Sequence, residues 1–342
     1  MAGRRRHATM REVAERAGVA ISSVSRVLND HPDVSASMRD RVMAATSALG
    51  YQPDLLAQSL RRGSTRTVGF IVRDISNPLF ADIVHGAETR LRASRYSLVL
   101  TNSDGDPSLD AAHIQLLNRR RVDGLILSLE SESHPPTLAA LNDLNCPLVL
   151  LDREVPAVRA SAVVSDHYMG VREGVLDMLR RPESRVAFIG GEAVRASRER
   201  LRGYLDAHEA VGRAPDLTLV RTRSYTADFG FEQTRALLRG HRVTGILAGG
   251  AQLSLGALEA IREANTGMGT DLDFVAADGI ALMQYLNPPV STVERDAVEL
   301  GATAATLLVE MLDEGGESRV ITLPTKYVRR SSVRSDAELS SG

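Results

Sequence analysis

The 342-residue sequence predicts an N-terminal all-α helix-turn-helix headpiece followed by an α/β core of two doubly wound subdomains. Three observations carry that prediction. Residues 9–29, TMREVAERAGVAISSVSRVLN, read as a helix, a glycine turn and a second helix. From Thr67 onward, short apolar runs alternate with longer amphipathic ones, and the pattern occurs twice. Residues 1–62 carry ten arginines against six acids, net +4, whereas residues 63–342 hold 31 basic against 37 acidic residues, net −6.

In the first helix Val13, Ala14 and Ala17 share one apolar face, Gly18 permits a tight turn, and Val19 fills the angle between the helices. Val24, Val27 and Leu28 of the second helix point to the same core. That leaves Ile21, Ser22, Ser25 and Arg26 outside, short side chains and one long cation, as a helix entering a major groove requires. Residues 30–50 give a third helix, with Ser35 as N-cap, Met38, Val42, Ala45 and Leu49 as its buried stripe, and Gly50 as its end. A helix-glycine-helix match alone is also compatible with an αα-hairpin whose polar face is merely solvated. The third helix and the local positive charge favour a nucleic-acid partner. Arg4 to Arg6 read equally as a phosphate-gripping arm or as a disordered basic start.

Candidate strands are 68–72, 97–102, 124–129 and 147–152 in a first half, and 185–191, 217–223, 244–249 and 273–278 in a second. Helical segments 79–94, 107–120, 168–181, 198–211, 228–239, 252–265 and 296–313 alternate with them. Such repetition makes parallel sheets covered by helices, with ligands at the carboxyl ends of the strands. Those ends carry Asp74, Asn102, Asp152 and Asp278, which are either ligand contacts or ordinary caps and turn formers.

Composition excludes several classes. A single cysteine, Cys146, forms no internal disulfide, and its apolar surroundings predict burial. The start MAGRRRHATM has no apolar run of the kind a secretory leader needs, and no stretch reaches membrane-spanning length. The eight histidines lack metal-ligand spacing, and Gly190-Gly191 and Gly249-Gly250 lack the Lys-Ser/Thr of a phosphate loop. The expectation is a cytoplasmic protein without a cofactor, a metal or an enzymatic activity.

The motifs TMREVAERAGVAISSVSRVLN, PDVSASMRDRV and ALGYQPDLLAQSLRRGSTRTVGFIVRDISNP, continued by RRVDGLIL, FIGG, RLRGY, LSLGAL and NPPVSTV, resemble the lactose-repressor (LacI/GalR) family of bacterial transcription regulators. The resemblance implies a headpiece over 1–52, a hinge helix and linker over 53–65, and a core over 66–342 like that of type I periplasmic binding proteins. It divides the core into an N-subdomain (66–164 and 294–320) and a C-subdomain (165–293 and 321–330), with 331–342 a disordered tail. It implies DNA contacts from Thr9, Ile21, Ser22, Ser23, Ser25, Arg26, Asn29 and Tyr51, and minor-groove contacts from Ala57 and Leu60 of the hinge. There Leu56 and Leu60 are either a wedge pair or the buried face of an anchoring helix. It implies effector contacts from Phe80, Asp152, Arg200, Tyr225 and Asp278. Arg200 is alternatively a surface partner of Glu199 or Asp206.

The sequence departs from the family pattern at Ala248-Gly249-Gly250-Ala251 and at Ala276-Ala277-Asp278-Gly279, where an amide, two carboxylates and an aromatic ring are usual. These departures predict a less polar, larger pocket or a site that no longer binds ligand. The ending RRSSVRSDAELSSG is too polar for a leucine zipper. The resulting expectation is a repressor that binds a palindromic operator in double-stranded DNA as a homodimer, under control of a small-molecule effector such as a sugar or sugar derivative. A small-molecule-binding protein without DNA activity is the alternative.

Overall fold

The computed structural model describes residues 8–28, 31–51 and 63–334. The chain divides into two compact units, Met1–Thr65 and Arg66–Gly342. In the first, helices α1 (Met10–Ala17), α2 (Ile21–Leu28) and α3 (Ala36–Leu49) enclose a core of Val13, Ala14, Ala17, Val24, Val27, Val42 and Ala45. Local chemistry sets the ends of these helices. The Thr9 hydroxyl accepts from the Glu12 amide at 3.3 Å while the Glu12 carboxylate accepts from the Thr9 amide at 2.6 Å, a reciprocal cap on α1. Gly18 closes α1 at φ 63°, ψ 41°, a left-handed conformation that costs an ordinary residue about 1–2 kcal/mol. Ser35 and Gly50 cap the two ends of α3.

The second unit holds two sheets. The first consists of β1 (Thr67–Val72), β2 (Ser97–Asn102), β3 (Gly124–Leu127), β4 (Leu148–Leu151), β5 (Ser161–Ser165) and β11 (Val320–Leu323), all parallel, in the order β11-β5-β4-β3-β1-β2. The second consists of β6 (Val186–Gly190), β7 (Val220–Thr222), β8 (Gly245–Ala248), β9 (Asp273–Ala277), β10 (Ser291–Glu294) and β12 (Lys326–Val328), in the order β12-β10-β9-β8-β6-β7. Only β12 runs antiparallel, against β10.

Strands buried on both faces need helices on both sides. On the first sheet, α4 (Pro78–Ala93) and α11 (Ala297–Asp313) pack Ile83, Leu91, Leu300 and Leu308 against Val68 and Phe70. On its other face α5 (Pro107–Arg119) and α6 (Pro135–Asn142) pack Ile114, Leu117 and Leu141 against Ile71 and Leu125. The second sheet is covered by α9 (Ala227–Gly240) and α10 (Ala251–Glu263) on one face and by α7 (His167–Met178) and α8 (Arg195–Ala210) on the other. Each fully buried Leu, Ile or Phe contributes about 1.5–3 kcal/mol by leaving water.

Several expectations change. Of 217–223 only Val220–Thr222 is strand, because the Asp216 carboxylate accepts from the Thr218 amide at 3.0 Å and turns Leu217–Leu219 into a short 3-10 helix. Helix α6 and strands β5, β10, β11 and β12 were not anticipated. The chain crosses between the two halves three times, near 165–167, 294–297 and 323–326. Residues 321–323 therefore lie in the first sheet through pairing with β5, and not in the second subdomain. Residues 331–334, expected in a disordered tail, are packed: Ser332 is buried and its hydroxyl donates to the Phe274 carbonyl at 2.6 Å, while Arg334 pairs with Asp273 at 2.9 Å. Cys146 is half buried, and burial pushes its thiol up to about 11. The hinge positions Leu56, Ala57 and Leu60, together with Asn29, Arg4 to Arg6 and 335–342, lie outside the described residues.

Candidate functional site

Both sheets share one strand sequence around a switch point, between β1 and β3 in the first and between β6 and β8 in the second. In such sheets the crevice outside the carboxyl ends of those strands is where ligands sit. Here the two crevices face each other and close on a cavity of about 50 Å³.

Four charged side chains close the floor of this cleft. Asp152 leaves β4 and Asp278 leaves β9, both in the left-handed region, at φ 49° and 55°. Arg295 follows β10 and reaches both, with Nη1 on Asp152 Oδ2 and Nε 3.0 Å from Asp278 Oδ1. Arg200, on α8, donates from Nη2 to Asp278 Oδ2 at 2.6 Å and from Nη1 to the Gly249 carbonyl at 2.6 Å. The Ser165 amide donates to Asp152 Oδ1 at 2.6 Å, which leaves every carboxylate oxygen of the pair engaged. Arg200 is 2% exposed, so the alternative of a surface pair is overturned: Glu199 instead takes Arg202, at 2.8 Å.

Charge states follow from these neighbours. Burial would raise Asp152, but Arg295 and His167 hold its carboxyl well below the usual range. Burial would likewise raise Asp278, and Arg200 with Arg295 lowers it. His167, at the start of α7, is pushed down to about 4 by burial and by the Arg200 cation. Its Nδ1 lies 3.2 Å from Arg200 Nη2, a donor only, so Nδ1 accepts and the proton sits on Nε2, 3.4 Å from Asp152. The ring is neutral at pH 7, and this contact is not an ion pair.

The walls hold residues that no motif singled out. Arg73, directly after β1, pairs with Glu130 at 3.1 Å and stacks 4.8 Å from the Tyr225 ring centroid. Arg153, directly after Asp152, is buried and donates from Nε to the Leu129 carbonyl and from Nη1 to the Asp152 carbonyl at 2.9 Å. Glu192 follows β6, and burial, reinforced by the Glu130 charge, raises its carboxyl. The available signal was positional: an arginine placed immediately after an apolar parallel strand. Tyr225 lines the cleft with its hydroxyl 2.6 Å from Ser197 Oγ, and Phe80 lines it from α4. A β-carbon on Gly191, in the FIGG run, would come 2.0 Å from the Tyr225 ring and one on Gly250, in the departure, 3.1 Å, so both glycines seat this ring. Arg73, Arg153 and Arg295 line the same cleft beside its apolar residues.

Of the rim residues, Asp74 Oδ1 accepts from the Ser76 amide at 2.8 Å and Asn102 Oδ1 from the Ile75 amide at 3.0 Å, which makes both turn formers. Asp74 Oδ2 also accepts from Gln252 across the cleft, at 3.3 Å. Glu132 of the first half accepts from the Arg195 amide at 2.9 Å and from Arg198 at 2.7 Å, both of the second half.

In the headpiece, Ile21, Ser22 and Arg26 are exposed on α2, with Ser23 and Ser25 half exposed beside them. Thr9 is exposed at the start of α1, and its side chain serves the cap. Tyr51 is half buried against the three-helix core. Among the described residues no helix is long and apolar enough to cross a membrane, and no group of three or more acidic, His or Cys side chains could hold a metal ion.

A three-helix headpiece joined to a double α/β core with a charged cleft defines a DNA-binding regulator with a binding-protein-like sensor. Residues 9–54 match the family described as bacterial regulatory proteins, lacI family, and residues 179–333 match the periplasmic binding protein-like domain. The ribose operon repressor of Escherichia coli (strain K12) is 30% identical over 315 residues, covering 90% of this chain and 94% of that protein. The HTH-type transcriptional repressor PurR of Aliivibrio fischeri (strain MJ11) is 26% identical over 331 residues, covering 95% and 98%. The crystal structure of the Lac repressor dimer bound to operator and the anti-inducer ONPF superposes with a TM-score of 0.84 at 26% identity, covering 96% of this chain and all of that one. The chain belongs to the lacI family of bacterial regulatory proteins. It is a DNA-binding transcriptional regulator.

Proposed function

We propose that the protein is a cytoplasmic repressor that binds a palindromic operator as a homodimer and is controlled by a small molecule held between the two halves of its core. The headpiece is assigned to 1–52 and the linker to 53–65. The core is 66–334, with 321–323 in the first half. Ile21, Ser22 and Arg26 are assigned to base edges and Thr9, Ser23, Ser25, Asn29 and Tyr51 to positioning on the backbone, with Ala57 and Leu60 in the minor groove.

The observation that carries the sensor reading is the buried chain Asp152–Arg295–Asp278–Arg200, which ties the end of the first sheet to the second. Phe80, Tyr225 and these charges face one space, so a ligand there meets both halves at once. A ligand shifts an equilibrium only by binding its two states unequally. The Glu132–Arg198 and Asp74–Gln252 contacts exist only when the halves are together, and their making or breaking is what ligand binding changes. Strand β1 continues directly from the linker, so movement of the first half is delivered to the segment that carries the headpiece. Self-association is supported by large apolar side chains left in water: Leu282 is 70% and Tyr285 78% exposed.

The test is selection of operator fragments from the source genome, followed by gel shift with and without candidate metabolites. Arg200→Gln and Asp278→Asn should abolish the metabolite response while leaving ligand-independent operator affinity within about threefold. Normal responses in both variants would remove the effector from this cleft. Failure to select any sequence would overturn the repressor reading.

A further inference from the structure

The cleft is lined by four arginines, Arg73, Arg153, Arg200 and Arg295, and two carboxylates, Asp152 and Asp278, with Glu130 paired behind Arg73 and Glu192 within electrostatic reach of both Arg73 and Arg153. A neutral polyol is held largely by carboxylates that accept from its hydroxyls, and here both are already occupied. Asp152 takes Arg295 and the Ser165 amide, and Asp278 takes Arg295 and Arg200. What the cleft offers a ligand is donors.

Arg153 is the least compensated of them. It is 6% exposed, and its hydrogen bonds go to two backbone carbonyls, those of Leu129 and Asp152. Among the described residues no carboxylate forms an ion pair with it. Asp152 and Glu132 stabilise its charge through space, but its hydrogen bonds run from Nε and Nη1 to carbonyls and leave Nη2 to a ligand. Arg73 adds a second guanidinium, and the two cations disfavour one another. Arg73 leaves β1, and Ser128 in the same wall leaves β3, the two strands that flank the switch point of the first sheet. A planar guanidinium fork matches the paired oxygens of a carboxylate or phosphate.

We propose that the ligand of this cleft is a small organic anion, a polar body bearing a carboxylate or a phosphate ester, with its charged group gripped by Arg73 and Arg153. This rests on the sensor reading above and specifies its ligand class. The anion takes up guanidinium donors that no carboxylate hydrogen-bonds at Arg153, and Tyr225 and Phe80 cover the uncharged part.

Isothermal titration of the full chain with matched probes tests this: glucose, gluconate and glucose 6-phosphate, then ribose and ribose 5-phosphate. At least one anionic probe should bind tenfold or more tightly than its neutral counterpart. Gluconate against glucose 6-phosphate separates the carboxylate from the phosphate source. Arg153→Gln should weaken that anion roughly tenfold to hundredfold, the range for hydrogen bonds to charged groups, and Arg73→Gln should do likewise. The comparison of probes on the unaltered chain holds even if a variant fails to fold. Neutral sugars that bind as tightly as their anionic partners overturn the proposal, as does an anion affinity unmoved by both substitutions. A neutral sugar whose binding needs Arg200 sinks the anion class and leaves the sensor reading standing. Silence from every probe, with no change in operator affinity, counts against both.

Discussion

Asp152 and Asp278 end corresponding strand runs in two different sheets, and both turn into the cleft through the same left-handed backbone, φ 49° and 55°. Aspartate tolerates that conformation better than most residues, since its short carboxylate bonds locally. The shared geometry brings the two carboxylates to opposite sides of one guanidinium, Arg295. The halves of the core are thus joined through a buried ion network, whose worth depends on being complete.

Removing Arg295 therefore leaves two buried anions short of a countercharge. Arg295→Gln should destabilise the core by about 3–5 kcal/mol, the usual cost of breaking a buried ion pair on one side. Urea unfolding followed by circular dichroism measures it. A loss under about 1 kcal/mol would show that the site hydrates or rearranges at little cost.

His167 makes stability depend on pH. Its folded value, about 4, lies below the ordinary 6.5, so the unfolded chain binds the proton more readily. Its contribution is complete above pH 6.5 and is lost as pH falls towards 4, a window worth up to about 3 kcal/mol. Melting temperature should fall between pH 7 and pH 5, and His167→Gln should flatten that part of the profile.

Gly301 of α11 lies against the backbone of α4, where an added β-carbon would come 1.8 Å from the Ile83 carbonyl oxygen. A backbone oxygen cannot swing aside as a side chain does. Gly301→Ala should cost about 1–3 kcal/mol by prying the two helices apart. Thermal unfolding unchanged by the substitution would contradict the close approach.

Arg26 projects from the exposed face of α2. Arg26→Ala should lose about 1–3 kcal/mol at one base pair of the operator and relax discrimination there. Competition binding against single-base operator variants reads this directly. Uniform weakening across all of them would reassign Arg26 to a phosphate.

The headpiece was legible because its information is local. Cap residues Thr9 and Ser35, the turn glycine Gly18 and the stripe Val13, Ala14, Ala17 each act within a few residues of themselves. The long helices and the doubly buried central strands of the core were legible for the same reason, through their apolar periodicity. Short edge strands were not: β11 and β12 carry no strong pattern, and their state is fixed by pairing with β5 and β10, which lie 158 and 36 residues away at Val320↔Ala162 and Thr292↔Val328 respectively.

Sequence by itself marked Asp152, Asp278, Arg200, Tyr225 and Phe80, and the structure places all five along one cleft. Only the tertiary structure decided what those groups touch. Arg73, Arg153 and Arg295 are far apart along the chain, and each alone reads as a solvated cation. Folding two sheets with their carboxyl ends face to face brings the side chains of all three out of water together, where low polarizability makes each charge answer to its neighbours. The sign and saturation of the cleft are therefore properties of the arrangement, because electrostatic energy depends on distance in space and on burial, neither of which is written in the order of residues.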